Sequence, residues 1–453
     1  MTALHAFIAA NRFGFGARRG DLDTIGRDPM GWALAQLDAR YAPHPELQKL
    51  PTTAAALRDG MGMMQRAKKA KDSGDAEAQR KMLRETVKYL RDDYAAESVA
   101  RTLVAIDSNA PFFERLVQFW SNHFTVSATK RQSITLVAAF ERDAIRPHIM
   151  GNFADLLIAA SRHPAMLVYL DNARSIGPNS LAGKRRNKGL NENLAREILE
   201  LHSLGVNGGY TQDDVIALAK MLTGWTADIQ GKGDGSGFLF VNLLHEPGNK
   251  TLLGKTYRAD GVNEAETALR DIAKHPSTAT FIATKLARHF VADEPSAAVI
   301  QKLKDAYLRG GGALLPVYKT LIALPEIWQT PLTKIKTPND YIISLLRASG
   351  MKADISSLSR AYQSLNQIPF SAPSPAGWSD KGADWIGGEA LLRRIELAEN
   401  IARAVHTDID PQTVLENTIA PVAADATREA VRRAGSKAEA LTLLFSSPEF
   451  QRR

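Results

Sequence analysis

Cysteine is absent from the 453 residues, which excludes disulfide frameworks, thiolate zinc sites and cysteine nucleophiles. Any metal would have to be held by His, Asp, Glu or carbonyl oxygen. Long apolar runs are missing too: none approaches the roughly 18 residues that a spanning helix needs, so no membrane span is expected. There is no Gly-x-Ser-x-Gly, no His-Glu-x-x-His and no dinucleotide fingerprint after a strand. The glycine-rich "RFGFGARRG" (12–20) continues a helical pattern, which makes it a poor nucleotide site. The opening residues carry a short apolar patch with no basic segment before it. The chain as it stands therefore shows no secretory signal, and a cytoplasmic location is the default expectation.

Acidic residues are the minority charge: 57 Lys and Arg against 49 Asp and Glu leave a net +8. The excess gathers in Arg66–Arg91 and in "GKRRNKG" (183–189). Nucleic-acid readers interleave basic residues with aromatics or carry a known motif, and neither occurs, so no nucleic-acid partner is expected. The longer basic stretch reads as a solvated helix face.

What is present is helical periodicity. "APFFERLVQFWSNHF", "DVIALAKMLTGW", "FIATKLARHFV" and "KAEALTLLFSSPEF" all repeat apolar residues at i, i+3 and i+4. The pattern predicts an all-α, multi-helical globular protein with at most one small β-hairpin near 237–257. In it "GFLFVNLLH" (237–245) would pair with "KTLLGKTY" (250–257). Three blocks are expected, forming one compact unit: an N-terminal helical layer (1–110), a central block with the polar motifs (111–260) and a C-terminal helical block (261–453). A Pro/Gly/Trp-rich loop (366–388) interrupts the last.

The densest polar stretch is "GLNENLAREILELHSLGVNGGYTQDDV" (189–215). At about 100° per residue, Asn193, Arg196, Glu197 and Glu200 share one helix stripe, while His202 lies on the apolar side. Glu197 and His202, about 140° apart, are poorly placed as co-ligands of one metal. Glu197 and Glu200 at i, i+3 set two carboxylates side by side, as general acid–base chemistry or a metal could use, and Arg196 is spaced to hold Glu200. Thr211 with Asp214 forms a capping box for the next helix. In "PFFERLVQFWSNHFTV" (111–126) His123 falls at the centre of an aromatic arc. It should be buried, with a ring nitrogen bonded to a group from another helix.

Further along, His245, Glu246 and Lys250 sit on a turn after the strand-like run. The 171–193 loop feeds a helix N-terminus and carries Arg185 and Arg186 among its basic residues, an arrangement able to meet an anion. His289, with Lys285 at its edge, reads as core.

The landmarks "RFGFGARRGDL", "FWSNHFTVS", "HPAMLVYLDNARSIGPNS", "NENLAREILELHSLGVNGGYTQDDV", "HEPGNKTLLG", "HPSTATFIATKLARHFV", "PAGW" and "SSPEFQRR" appear in this order. Together they resemble a bacterial family known as domain of unknown function 1800. The resemblance implies export for many members and frequent company of exported sulfatase- or phosphatase-like proteins, and it implies no catalytic residues. The reading that results is a helical hydrolase acting on a glycan or an anionic ester. Glu197, Glu200, His245 and His123 would be its acid–base or metal-binding groups, with a divalent metal compatible. Asn193, Arg196, Lys250, Arg185 and Arg186 would bind substrate. The alternative is a non-catalytic helical scaffold that docks on such an exported companion, with Trp378 and Trp385 as anchors.

Overall fold

Helix starts are written into the chain as a polar cap followed by proline. Asp28, His163, His275 and Thr337 each accept a hydrogen bond from a first-turn N–H, and each is followed by Pro at the first helical position. Two of these caps are imidazoles, so His163 and His275 are committed to helix geometry. Thr211 and Asp214 form the expected capping box.

The computed structural model describes residues 3–38, 44–186, 189–329, 332–405, 407 and 409–453. Among them it is an α-helical protein with two small antiparallel sheets of two strands each. The extended stretch divides between them. Phe238–Phe240 pairs with Trp225–Ala227, not with the segment after it. Lys250–Leu252 instead folds back on Lys255–Tyr257. Leu253 (φ 51°) and Gly254 (φ 75°) close that second hairpin, and a two-residue turn with both φ positive is what brings neighbouring strands together. Asp214 accepts the Leu253 N–H at 2.6 Å and fixes the turn.

The basic stretch lies on two helices, Thr53–Asp72 and Ala76–Asp107, joined by a turn at Gly74 (φ 73°). Residues 71–81 are all exposed, so the charge is a solvated tip.

Buried apolar side chains fall into two main groups. One runs from the N-terminal helices through Pro111–His123 to Ile327; the other gathers residues from 332 onward. The helix Ala3–Ile8 serves both: Ala6 packs into the first, Phe7 and Ile8 into the second. Between the groups lies a polar seam, where Arg115 and Arg347 are buried on carbonyl and carboxylate oxygens.

Candidate functional site

The polar stripe forms, but with a changed phase. Asn193–Glu197 is α-helical and Ile198–Ser203 widens into a π-turn, so even spacing ends beyond Glu197. Arg196 does not hold Glu200; its Nη2 donates to Glu192 Oε2 and Gln212 Oε1, both at 3.0 Å. Glu200 accepts only a long bond from Tyr210 Oη, at 3.4 Å. Both carboxylates are half-buried and Asn193 is exposed. Burial, then the charge of Glu200, raises the proton affinity of Glu197 against the pull of Arg196.

His245 and Lys250 do come together, on a third residue. Lys250 Nζ donates to Glu264 Oε2 at 2.8 Å, and His245 Nε2 lies 3.2 Å from the same oxygen without hydrogen-bond alignment. His245 Nδ1 donates to the Thr223 carbonyl at 2.9 Å. Asn179 donates to Glu246 from its backbone at 2.8 Å and its side chain at 2.6 Å, which ties the 171–193 loop to this turn. Gly177 belongs to the same latch, since a Cβ there would meet the Glu246 backbone at 2.6 Å. His245, Glu246 and Lys250 are all buried and occupied. No hydrogen bond or ion pair among the described residues joins them to Glu197 or Glu200. Arg185 is exposed, and the side chain of Arg186 lies outside the described residues.

His123 is 4% exposed, and its Nε2–H donates to the His202 carbonyl at 3.0 Å. Burial, with His202 and Lys285 nearby, holds its pKa down to about 3, so the ring is neutral. Phe119, Trp120 and Phe124 surround it. Among the described residues no group of three or more His, Asp or Glu is placed to hold a metal ion.

The other face of the same helix carries the pocket. Phe119 lies between His123 and His289, with ring centroids at 6.3 and 5.2 Å, so His123 stands one layer behind a cavity of about 100 Å³ at the seam. Pro111–His123 supplies Arg115, Gln118, Ser121 and Asn122; Pro276–Phe290 supplies His289; Pro338–Ser349 supplies Asn339 and Asp340. The loop with Trp378, Asp380 and Trp385 makes a further wall, and Arg453 completes the lining.

Two carboxylates organise it. Lys285 and His289, one turn apart on their helix, flank Asp380. Lys285 donates to Asp380 Oδ2, and His289 Nδ1 faces Oδ1 at 3.9 Å, beyond hydrogen-bond length but within ion-pair reach. Burial would push Asp380 up; His289 and Lys285 beside it outweigh that, so the carboxyl sits well below the ordinary range. Burial, then Arg453, holds His289 down to about 3 against the pull of Asp380. The imidazole is neutral, the carboxylate favours the Nδ1–H tautomer, and Nε2 is buried without a partner.

Asp340 is the second. Arg115 Nη1 donates to its Oδ2 at 3.2 Å, and Arg453 Nε lies 3.2 Å from the same atom. These two cations, with His289, overcome burial and keep Asp340 ionised. Burial lowers Arg115 to about 10, still charged at neutral pH.

The amides hold the walls. Asn122 Nδ2 donates to the Trp378 carbonyl at 3.0 Å, and its Oδ1 accepts the Trp378 N–H at 2.7 Å. Gly377 (φ 83°) permits this approach, because a Cβ would meet the Asn122 carbonyl at 2.5 Å. Asn339 donates to Gln118 at 2.8 Å, and the Asn339 backbone donates to Gln367 at 2.8 Å.

Sequence reasoning did not single out Asp340, Asp380, Asn339, Arg115 or Arg453, and it read His289 as core with Lys285 at the edge of the apolar arc. The one local signal was Lys285 and His289 at i, i+4 on an otherwise apolar face.

Fold and pocket thus define a helical protein with a charged cavity at the seam of its two apolar groups. The chain matches the model of the family described as protein of unknown function (DUF1800) over residues 8–452, and it belongs to that family. No curated protein and no solved structure matches it. Among the described residues no helix is long and apolar enough to cross a membrane.

Proposed function

We propose that the chain is a hydrolase acting on a glycan or an anionic ester in the seam pocket, with His289 as the base that activates water. The supporting observation is the pairing of His289, a residue that lines the pocket, with Asp380: Nδ1 faces an ionised carboxylate at 3.9 Å while Nε2 is buried without a partner. Drawn in from 3.9 Å, as catalytic hydrogen bonds tighten once substrate is bound, the carboxylate would fix the tautomer and stabilise the imidazolium, and the other nitrogen would take the proton. Water would lose its proton to Nε2 as its oxygen bonds to the reacting carbon. The bond to the leaving group breaks, and that group receives the proton from His289. Trp378 and Trp385, with ring centroids 6.0 Å apart, line the same pocket and supply aromatic surface for a sugar or acyl chain. Lys285 is a positioning residue that holds Asp380.

The test is a screen of purified protein against glycan and ester panels, comparing wild type with His289→Ala and Asp380→Asn. Turnover should fall by at least about 100-fold in both variants, with circular dichroism unchanged. Full activity in His289→Ala would sink this reading.

A docking role has its own support. Ile386, Leu391, Leu392 and Ile395 form an apolar run that is at least 39% exposed at each position, at the start of the Gly388–Val405 helix. An inactive protein that co-purifies with a companion, and loses it in Leu392→Glu, would favour the scaffold reading.

A further inference from the structure

Charge around the pocket does not balance. Lys285 is matched by Asp380, Lys334 by Asp293, and Arg101 by Glu141. Around Asp340 the pattern changes. Arg115 and Arg453 converge on one oxygen of that single carboxylate. Lys336, also buried, lies over the Phe450 ring at 4.4 Å. Arg394 is buried beside them and spends its donors on neutral oxygens, the Gln451 amide at 2.7 Å and the Lys336 carbonyl at 2.7 Å. Among the described residues Asp340 is the one carboxylate ion-paired with Arg115 or Arg453.

Arg453 has a donor left over. Its side chain is 3% exposed, its Nε has no hydrogen-bond partner, and it lines the cavity with Arg115. A buried guanidinium without full pairing is costly, and an incoming oxyanion is the group whose geometry satisfies it.

We propose that the pocket recognises its substrate through one oxyanion group, a carboxylate, phosphate or sulfate, seated against Arg115 and Arg453. The inference rests on the hydrolase reading only for the word substrate; the anion site stands on the charge arrangement. It makes the substrate an acidic sugar or a charged ester and excludes a neutral glycan. It also couples binding to chemistry. An anion beside Arg453 and Arg115 offsets the cationic repulsion that adds to burial in depressing His289, so the base gains proton affinity when substrate is in place.

The experiment titrates the full chain with sodium sulfate, sodium phosphate, glucuronate and glucose at constant ionic strength. Tryptophan fluorescence and calorimetry are the readouts. One or more of the oxyanions should bind saturably, the best of them identifying the source, while glucose should not bind. Arg453→Gln should weaken that affinity at least 10-fold, and Arg453→Lys should restore part of it. If Arg453→Gln does not fold, Arg453→Lys still decides: it keeps the charge, loses the planar fork and should bind the oxyanion measurably more weakly than wild type. Glucose binding as tightly as the oxyanions, anion binding indifferent to Arg453→Gln, or anion binding unchanged in Arg453→Lys would each overturn the proposal. The two readings fail separately. Anion binding without turnover of any substrate upholds the anion site and removes the hydrolase. Turnover of neutral glycans untouched by Arg453→Gln does the reverse.

Discussion

Asp340 shows what one side chain can decide. Among the described residues it is the one carboxylate ion-paired with Arg115 and Arg453, so Asp340→Asn leaves two buried cations without that partner and should cost about 3–5 kcal/mol. Urea denaturation at pH 7 measures this. The pH dependence has a fixed sign. The folded-state pKa lies below the unfolded value of about 3.9, so the contribution is full above that pH and fades as acid protonates the folded carboxyl. Wild type should lose stability below about pH 4, and Asp340→Asn should lose less across the same window. His123 was legible at this scale. Its aromatic arc predicted a buried ring bonded to another helix, and it donates to the His202 carbonyl. Helical phasing reaches that far because both facts follow from one face of one helix.

The Trp loop matters as an element, because it has almost no helix of its own and is held by others. Asn122 latches the Trp378 backbone, the Ala128 N–H donates to the Phe370 carbonyl at 2.7 Å, and Ser127 Oγ donates to the Ala372 carbonyl at 2.7 Å. Asn122→Ala removes two bonds and should cost about 2 kcal/mol. Tryptophan emission should shift red while far-ultraviolet circular dichroism is unchanged; a variant with unaltered emission would show that the latch is idle. Elements were also where sequence reasoning divided. Helices with regular apolar spacing were legible. The π-turn after Glu197 was not, because nothing in "ILELHS" breaks the pattern, and with it went the expected Arg196–Glu200 pair. Nor was the Asp380 site legible, since it joins a helix to a loop about 95 residues away and no periodicity spans that distance.

Across the whole molecule the charge network sets the working pH. Burial pushes Glu97 up to about 7 against Arg142, with Asp93 and Glu141 adding to the push, and burial takes Asp93 to about 6. A raised carboxyl stabilises the fold fully below its unfolded pKa of about 4.3, and that contribution is lost as pH rises to the folded value. The buried histidines His123, His163, His202 and His289, each held down to about 3, act the other way over this range, so the sign is carried by a difference: the melting temperature of Glu97→Gln relative to wild type should rise between pH 5 and pH 7. Scanning calorimetry of both proteins checks it; a difference that stays flat over the window would refute the assignment. The seam has one more consequence, in time. Arg115 and Asp340 are 225 residues apart in sequence, and a contact that closes so long a loop forms late. Stopped-flow refolding should show helix signal recovering first and the Trp378–Trp385 environment last. A newly folded chain would pass through an interval in which it is nearly all helix and has no pocket.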